Sequence, residues 1–165
     1  IPGCLAQDTY EKILARLEDR GLQTVVDATG ALLVNVLKYR PFLIKPNNHE
    51  LGEIFGVTLQ TREEVVPYAR KLQEKGARNV LVSMAGEGAV LIDENGTVHM
   101  SEAPQGKVIN AVGAGDSMVA GFVAGADEGY EYALRLANAC GGATAFSVGL
   151  AEKECVEKLL KTKNA

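Results

Sequence analysis

A chain of 165 residues, 47% hydrophobic and 23% charged, is long enough for one compact domain that hides roughly two-thirds of its unfolded surface. Its net charge of −4, with no cluster of Lys or Arg, argues against a nucleic-acid partner. No apolar run approaches the roughly 18 residues of a membrane span, and no signal-peptide pattern is read at the start. In chain order, Leu5, Ile13, Leu14 and Leu17 among charges predict an amphipathic helix ending at Gly21. Thr24-Val25-Val26 is a short strand closed by Asp27, and Ala31 to Tyr39 a helix stopped before Pro41. Phe42-Leu43-Ile44 is a second strand, running into Lys45-Pro46-Asn47. One helix carries Glu50, Ile54 and Phe55, and Thr61 caps another that runs to Gly76. Asn79 to Ser83 is a strand of strong β-formers, while Ala89–Ile92 and Thr97–Met100 flank Asn95-Gly96, a hairpin signal. Ala114–Gly125, Glu131–Phe146 and Glu152–Leu160 close the chain as helices.

Strands alternating with helices predict an α/β fold: a doubly wound, largely parallel sheet flanked by helices, with a terminal hairpin near residues 89–100. Ligands of such sheets sit at the carboxyl ends of the strands. That singles out Asp27, Lys45 to Glu50, Ser83 to Gly88, and the loop before Ala114. Cys4, Cys140 and Cys155 have no CxxC spacing, so reduced thiols in a cytoplasmic protein are expected rather than a disulfide framework or a zinc site.

The segment Asn110-Ala111-Val112-Gly113-Ala114-Gly115-Asp116-Ser117 is a glycine-rich turn opening a helix. Free backbone N–H groups and the positive end of the helix dipole converge there, and glycine lets a phosphate approach without a Cβ in the way. An aspartate in that first turn would repel an anion. It makes sense if a hydroxyl must lose its proton while attacking a phosphoryl group held by the same N–H groups. Read more plainly, Asp116 is a helix-start residue favoured by the dipole.

In Lys45-Pro46-Asn47-Asn48-His49-Glu50-Leu51-Gly52, Asn47 and Glu50 share a face of a helix opening after Pro46. Together they suit a hydrated Mg²⁺, and equally a capping box. Lys45 at a strand end can meet nucleotide phosphates as a point charge, whereas His49 reads as a solvated surface histidine. Ser83-Met84-Ala85-Gly86-Glu87-Gly88 lets a nucleotide lie against the backbone or is simply a tight turn. Asn138-Ala139-Cys140-Gly141-Gly142-Ala143 has the small residues that either a flat base or a neighbouring helix would need; Asn138 can bond adenine or order a loop.

The Gly113-Ala114-Gly115-Asp116 segment resembles the second signature of the PfkB (ribokinase-like) carbohydrate kinases. Asn47-x-x-Glu50 resembles the family's Asn-x-x-Glu motif, and the preceding Lys45-Pro46 resembles its phosphofructokinase and tagatose-6-phosphate kinase branch. The resemblance implies an ATP-dependent kinase of a sugar phosphate, with fructose 1-phosphate or tagatose 6-phosphate favoured over ribose or adenosine, and the product a bisphosphate. It implies Asp116 as base, with Gly113, Ala114 and Gly115 around the transferred phosphoryl. Lys45 and Asn47 would touch ATP phosphates, Asn47 and Glu50 would organise Mg²⁺, and Ser83, Gly86, Glu87, Gly88 and Asn138 would line the nucleotide. Asn110 and Ala111 depart from the Asp-Thr common in the signature, which speaks against the monovalent-cation site that some members build there. Ala85 stands where many members carry glycine. Asp27 looks like an acid near the phosphates and is given no role.

Two rival readings of the glycine turns fail on spacing. A dinucleotide fingerprint needs a third Gly or Ala where this chain has Met118 after one turn and Leu91 after the other, and no Gly-x-x-x-x-Gly-Lys-Ser/Thr is present. The remaining rivals are a 6-phosphofructokinase or another sugar kinase of the same family, and a non-catalytic ATP-binding module. The resemblance covers the C-terminal half of the family's domain, and Ile1-Pro2-Gly3 resembles the tail of a stretch that precedes it. The sugar-binding part and the lid that often forms a homodimer contact in relatives are therefore expected outside this chain. Residues 1–165 alone are expected to lack sugar kinase turnover.

Overall fold

The computed structural model describes Ala6 and residues 8–162; Leu5, Cys4 and the Ile1-Pro2-Gly3 start lie outside the described residues. The elements, in order, are α1 Thr9–Leu17, β1 Val25–Val26, α2 Gly30–Val36, β2 Leu43–Ile44, α3 Asn48–Phe55 and α4 Arg62–Glu74. They continue with β3 Asn79–Ser83, β4 Ala89–Ile92, β5 Val98–Ser101, α5 Ala114–Gly125, α6 Tyr130–Ala145 and α7 Lys153–Thr162. The strands form a five-stranded sheet in the order β1-β2-β3-β4-β5. β1, β2 and β3 are parallel. The later connections, 84–88 and 93–97, are too short for a parallel crossover and return the chain antiparallel. The predicted α/β architecture is thus observed, a mixed, mostly parallel sheet flanked by helices. Among the described residues no helix is long and apolar enough to cross a membrane.

By contacts the chain divides into two compact units, Ile1–Val82 with Ile92–Val98, and Ser83–Leu91 with His99–Ala165. In the first, Leu33, Val36, Leu43, Ile44, Leu51, Val65, Leu72 and Val80 are fully buried. Each such side chain contributes about 1.5–3 kcal/mol of burial. Two capping boxes start helices here. Thr61 and Glu64 exchange side-chain and backbone bonds at the start of α4. The N–H groups of Gln60 and Thr61 hold the exposed Glu64 carboxyl below its ordinary pKa. A lowered folded-state pKa means support that is complete above the ordinary glutamate value and fades as pH falls through the lowered one.

The hairpin turn is wider than a two-residue Asn95-Gly96 loop. Buried Asp93 accepts from the N–H groups of Asn95 and Thr97 through Oδ1, both at 2.9 Å, and Gly96 completes the turn at φ 80°. Asn79, also buried, ties this turn down. Its Nδ2 donates to the Phe42 carbonyl and its Oδ1 accepts from Glu94 N–H, each at 2.9 Å.

In the second unit α5 lies tightly against α6. A Cβ on Gly121 would stand 2.9 Å from both Ala137 Cα and Leu136 O, and 2.8 Å from Cys140 Sγ. One on Gly141 would meet Met118. Small residues of α6 therefore serve close helix packing, and burial there pushes the Cys140 thiol pKa up. Because two of these Gly121 neighbours, Ala137 Cα and Leu136 O, are backbone, they cannot swing aside. Gly121→Val should cost about 1–3 kcal/mol or more by overpacking, read as a lowered urea midpoint. An unchanged midpoint would mean that the two helices part at little cost.

Candidate active site

Lys45 leaves the carboxyl end of β2, and Pro46 directs the chain straight into α3. The Lys45 side chain is only 8% exposed, and its Nζ lies 3.2 Å from Asp27 Oδ2. Asn47 then caps α3: its Oδ1 accepts from Glu50 N–H and Glu50 Oε2 accepts from Asn47 N–H, both at 2.8 Å. The capping-box reading of this pair is thus realised. It leaves a second carboxylate oxygen, Glu50 Oε1, uncommitted among the described residues. His49 is exposed, as expected. The first unit therefore brings Asp27, Lys45, Asn47 and Glu50 to the carboxyl ends of adjacent parallel strands.

In the second unit the turn before α5 is shaped by Gly113, the N-cap, at φ 80°. No side chain caps this helix. Ser117 N–H bonds Gly113 O at 2.9 Å and Ala114 N–H bonds Ala111 O at 3.2 Å, which leaves the N–H groups of Gly115 and Asp116 without backbone partners. Asp116 is exposed, and among the described residues nothing pairs with its carboxylate. The turn is braced from behind. Ser117 Oγ and Thr144 Oγ1 are 2.8 Å apart, and Thr144 Oγ1 accepts from Ala151 N–H at 3.2 Å. Asn110 accepts from Val112 N–H at 3.0 Å and donates through Nδ2 to Val148 O at 3.4 Å. An aspartate at 110 could make the first of these bonds but not the second.

The loop from Ser83 to Gly88 closes on itself, with Met84 N–H to Gly88 O at 2.9 Å and Gly88 N–H to Ala85 O at 3.1 Å. It is the tight turn that the sequence also allowed, with Gly86 and Glu87 exposed at its tip. A Cβ on Gly88 (φ 91°) would collide with the Ser101 carbonyl at the end of β5. Buried Asn138 fixes the same strand end: its Nδ2 lies 3.0 Å from Ser101 Oγ and 2.7 Å from Glu102 O. Of the two roles open to Asn138, ordering a loop is the one its amide nitrogen performs. Gly88 and Asn138, fifty residues apart in sequence, thus meet at one place.

Among the described residues no group of three or more His, Cys, Asp or Glu could cage a metal ion. A hydrated Mg²⁺ needs no such cage, since it keeps several waters and takes one or two carboxylates plus substrate phosphates. The free oxygen of Glu50, beside Asn47, fits that demand. The model of the pfkB family carbohydrate kinases matches residues 1–157. The chain belongs to this family.

Among PfkB relatives, a 1-phosphofructokinase of Bacillus subtilis (strain 168) is 48% identical over 162 residues, covering 97% of this chain and 53% of the relative. A D-tagatose-1-phosphate kinase of Bacillus licheniformis is 35% identical over 165 residues, covering 98% and 53%. The crystal structure of a provisionally assigned phosphofructokinase from Staphylococcus aureus superposes with a TM-score of 0.90 at 42% identity, covering 98% and 53%. The chain spans about half the length of the relatives it matches.

Sequence reasoning missed the Asp27 partner of Lys45, the Thr144 brace and the Ser101 anchor of Asn138. Only Asp27 left a signal: it ends β1 where Lys45 ends β2. Ala85, where many PfkB members carry glycine, sits at φ 46°, a left-handed conformation. Such a backbone costs a non-glycine residue about 1–2 kcal/mol, against about 0.4–1 kcal/mol of extra chain entropy for glycine. Ala85→Gly should therefore leave the melting temperature unchanged or raise it slightly, whereas Gly88→Ala should lower it sharply. A clear loss of stability in Ala85→Gly would contradict the strain.

Proposed function

We propose that this chain carries the nucleotide-side residues of an ATP-dependent sugar-phosphate kinase. The acceptor is fructose 1-phosphate, phosphorylated at a free hydroxyl to give a bisphosphate. A tagatose phosphate is the second reading, favoured by the D-tagatose-1-phosphate kinase relative. The observation that carries the proposal is an uncommitted carboxylate, Asp116, in the first turn of a helix whose Gly115 and Asp116 N–H groups are also free. Asp116 accepts the proton of the sugar hydroxyl as its oxygen attacks the terminal phosphorus of ATP, and ADP leaves with the electrons of the broken P–O bond. The N–H groups of the turn, which Gly113, Ala114 and Gly115 keep open, stabilise charge on the phosphoryl oxygens. Lys45 adds a positive charge at the nucleotide phosphates. Ser83, Gly86, Glu87 and Gly88 support the nucleotide, and Asn138 holds that strand end in place. Asn47 and Glu50 would hold a hydrated Mg²⁺, which would supply neutralisation of phosphate charge. Sugar recognition, a lid and a homodimer contact through it are assigned to sequence outside this chain, and the location to the cytoplasm.

In the complete gene product, Asp116→Ala should leave ATP affinity nearly intact while turnover falls by roughly 10²–10⁴-fold. Near-normal kcat would reduce Asp116 to a helix start. Glu50→Gln keeps the shape of the capping box and removes a charge. It should demand much more Mg²⁺ for half-maximal rate at an almost unchanged melting temperature. An unaltered Mg²⁺ titration with a loss of stability would leave Glu50 as a cap alone.

A further inference from the structure

We infer that Asp27 is a positioning residue for Lys45, resting on the proposed contact of Lys45 with nucleotide phosphates. The backbone sets up the pair before any side chain is considered. Val25 is in register with Leu43 and Val26 with Ile44 in parallel strands. One residue further along each strand puts Asp27 beside Lys45 on the same face. The two meet at 3.2 Å, and among the described residues this is the ion pair that Lys45 makes.

The exposures divide the roles. Lys45 is 8% exposed and Asp27 37%. An ammonium that deep is costly without a counter-charge, and Asp27, 3.2 Å away at the end of the neighbouring strand, supplies it and fixes where the Lys45 Nζ sits. An apolar pair of similar volume would commonly be as stable as a buried ion pair, so stability alone gives little reason for these two residues here. One of the three ammonium protons faces Asp27, and the others are left for phosphate oxygens. A carboxylate would repel phosphate on its own account. Its contribution therefore runs through Lys45 rather than through the ligand.

The test is calorimetric titration of the complete gene product with inorganic tripolyphosphate and with ATP, together with sugar-phosphate turnover. The variants are Asp27→Asn, Asp27→Glu, Lys45→Met and the Asp27→Asn/Lys45→Met double. Asp27→Asn should weaken tripolyphosphate binding by roughly the 10–100-fold that loss of an orienting outer partner costs elsewhere. Asp27→Glu should recover most of that loss. The double variant should bind like Lys45→Met alone, because residues that act as a unit are not additive. Where Asp27→Asn does not fold, the comparison of the double variant with Lys45→Met carries the test, since neither leaves a buried charge unpaired. Additive losses in the double, wild-type binding by Asp27→Asn with only a lower melting temperature, or no tripolyphosphate binding by the wild type each overturn the inference. Coupled binding losses in a protein that phosphorylates no sugar phosphate would sink the proposed kinase activity and leave the role of Asp27 standing.

Discussion

Two rungs of parallel pairing, Val25 with Leu43 and Val26 with Ile44, continued from Ile44 to Val80, constrain the first unit more than any side chain does. A parallel register cannot slip by one residue without turning every side chain to the other face. Here the strands are short, and polar residues follow them: Asp27 after β1, and Lys45 and Asn47 after β2. Asn47 and Glu50 then begin α3 through mutual bonds at 2.8 Å. Strand end, ion pair and helix cap are therefore one continuous stretch of structure.

The second unit reaches a comparable result by other means. α5 starts without a side-chain cap, and the N–H groups of Gly115 and Asp116 have no internal partner. A helix start of that kind needs support from elsewhere. Thr144, Ser117 and Ala151 supply it from one side, and Asn110 pins the turn to Val148 from the other. Close approach of α6 at Gly121 and Gly141 holds the helix itself. The rigidity sits behind the turn, and the exposed Asp116 carboxylate in front of it.

Most of the architecture was legible because its signals are local. The run of strong β-formers from Asn79 to Ser83 and the glycines before Ala114 mark their elements to the residue, and Thr61 announces α4. The site was legible where a motif is contiguous in sequence, as in Lys45 to Glu50 and Gly113 to Asp116. What escaped are pairings set by tertiary register. Nothing near Asp27 says that the next parallel strand also ends on a charged residue, and nothing near Asn138 points to Ser101. The hairpin widened because the Asp93 side chain bonds two turn N–H groups, a choice that the Asn95-Gly96 dipeptide does not reveal. Ala85 shows the reverse case: a departure visible in the sequence acquired a physical meaning only when its backbone was seen at φ 46°.

The central claim is that a carboxylate at a glycine turn activates a sugar-phosphate hydroxyl toward a nucleotide. It is tested most directly by phosphorus NMR of the complete gene product incubated with ATP, Mg²⁺ and fructose 1-phosphate. The account predicts ADP and a new phosphate ester in equal amounts, the second phosphate of a fructose bisphosphate. ADP accompanied by inorganic phosphate with no new ester, or no consumption of ATP with either fructose 1-phosphate or a tagatose phosphate, would contradict it.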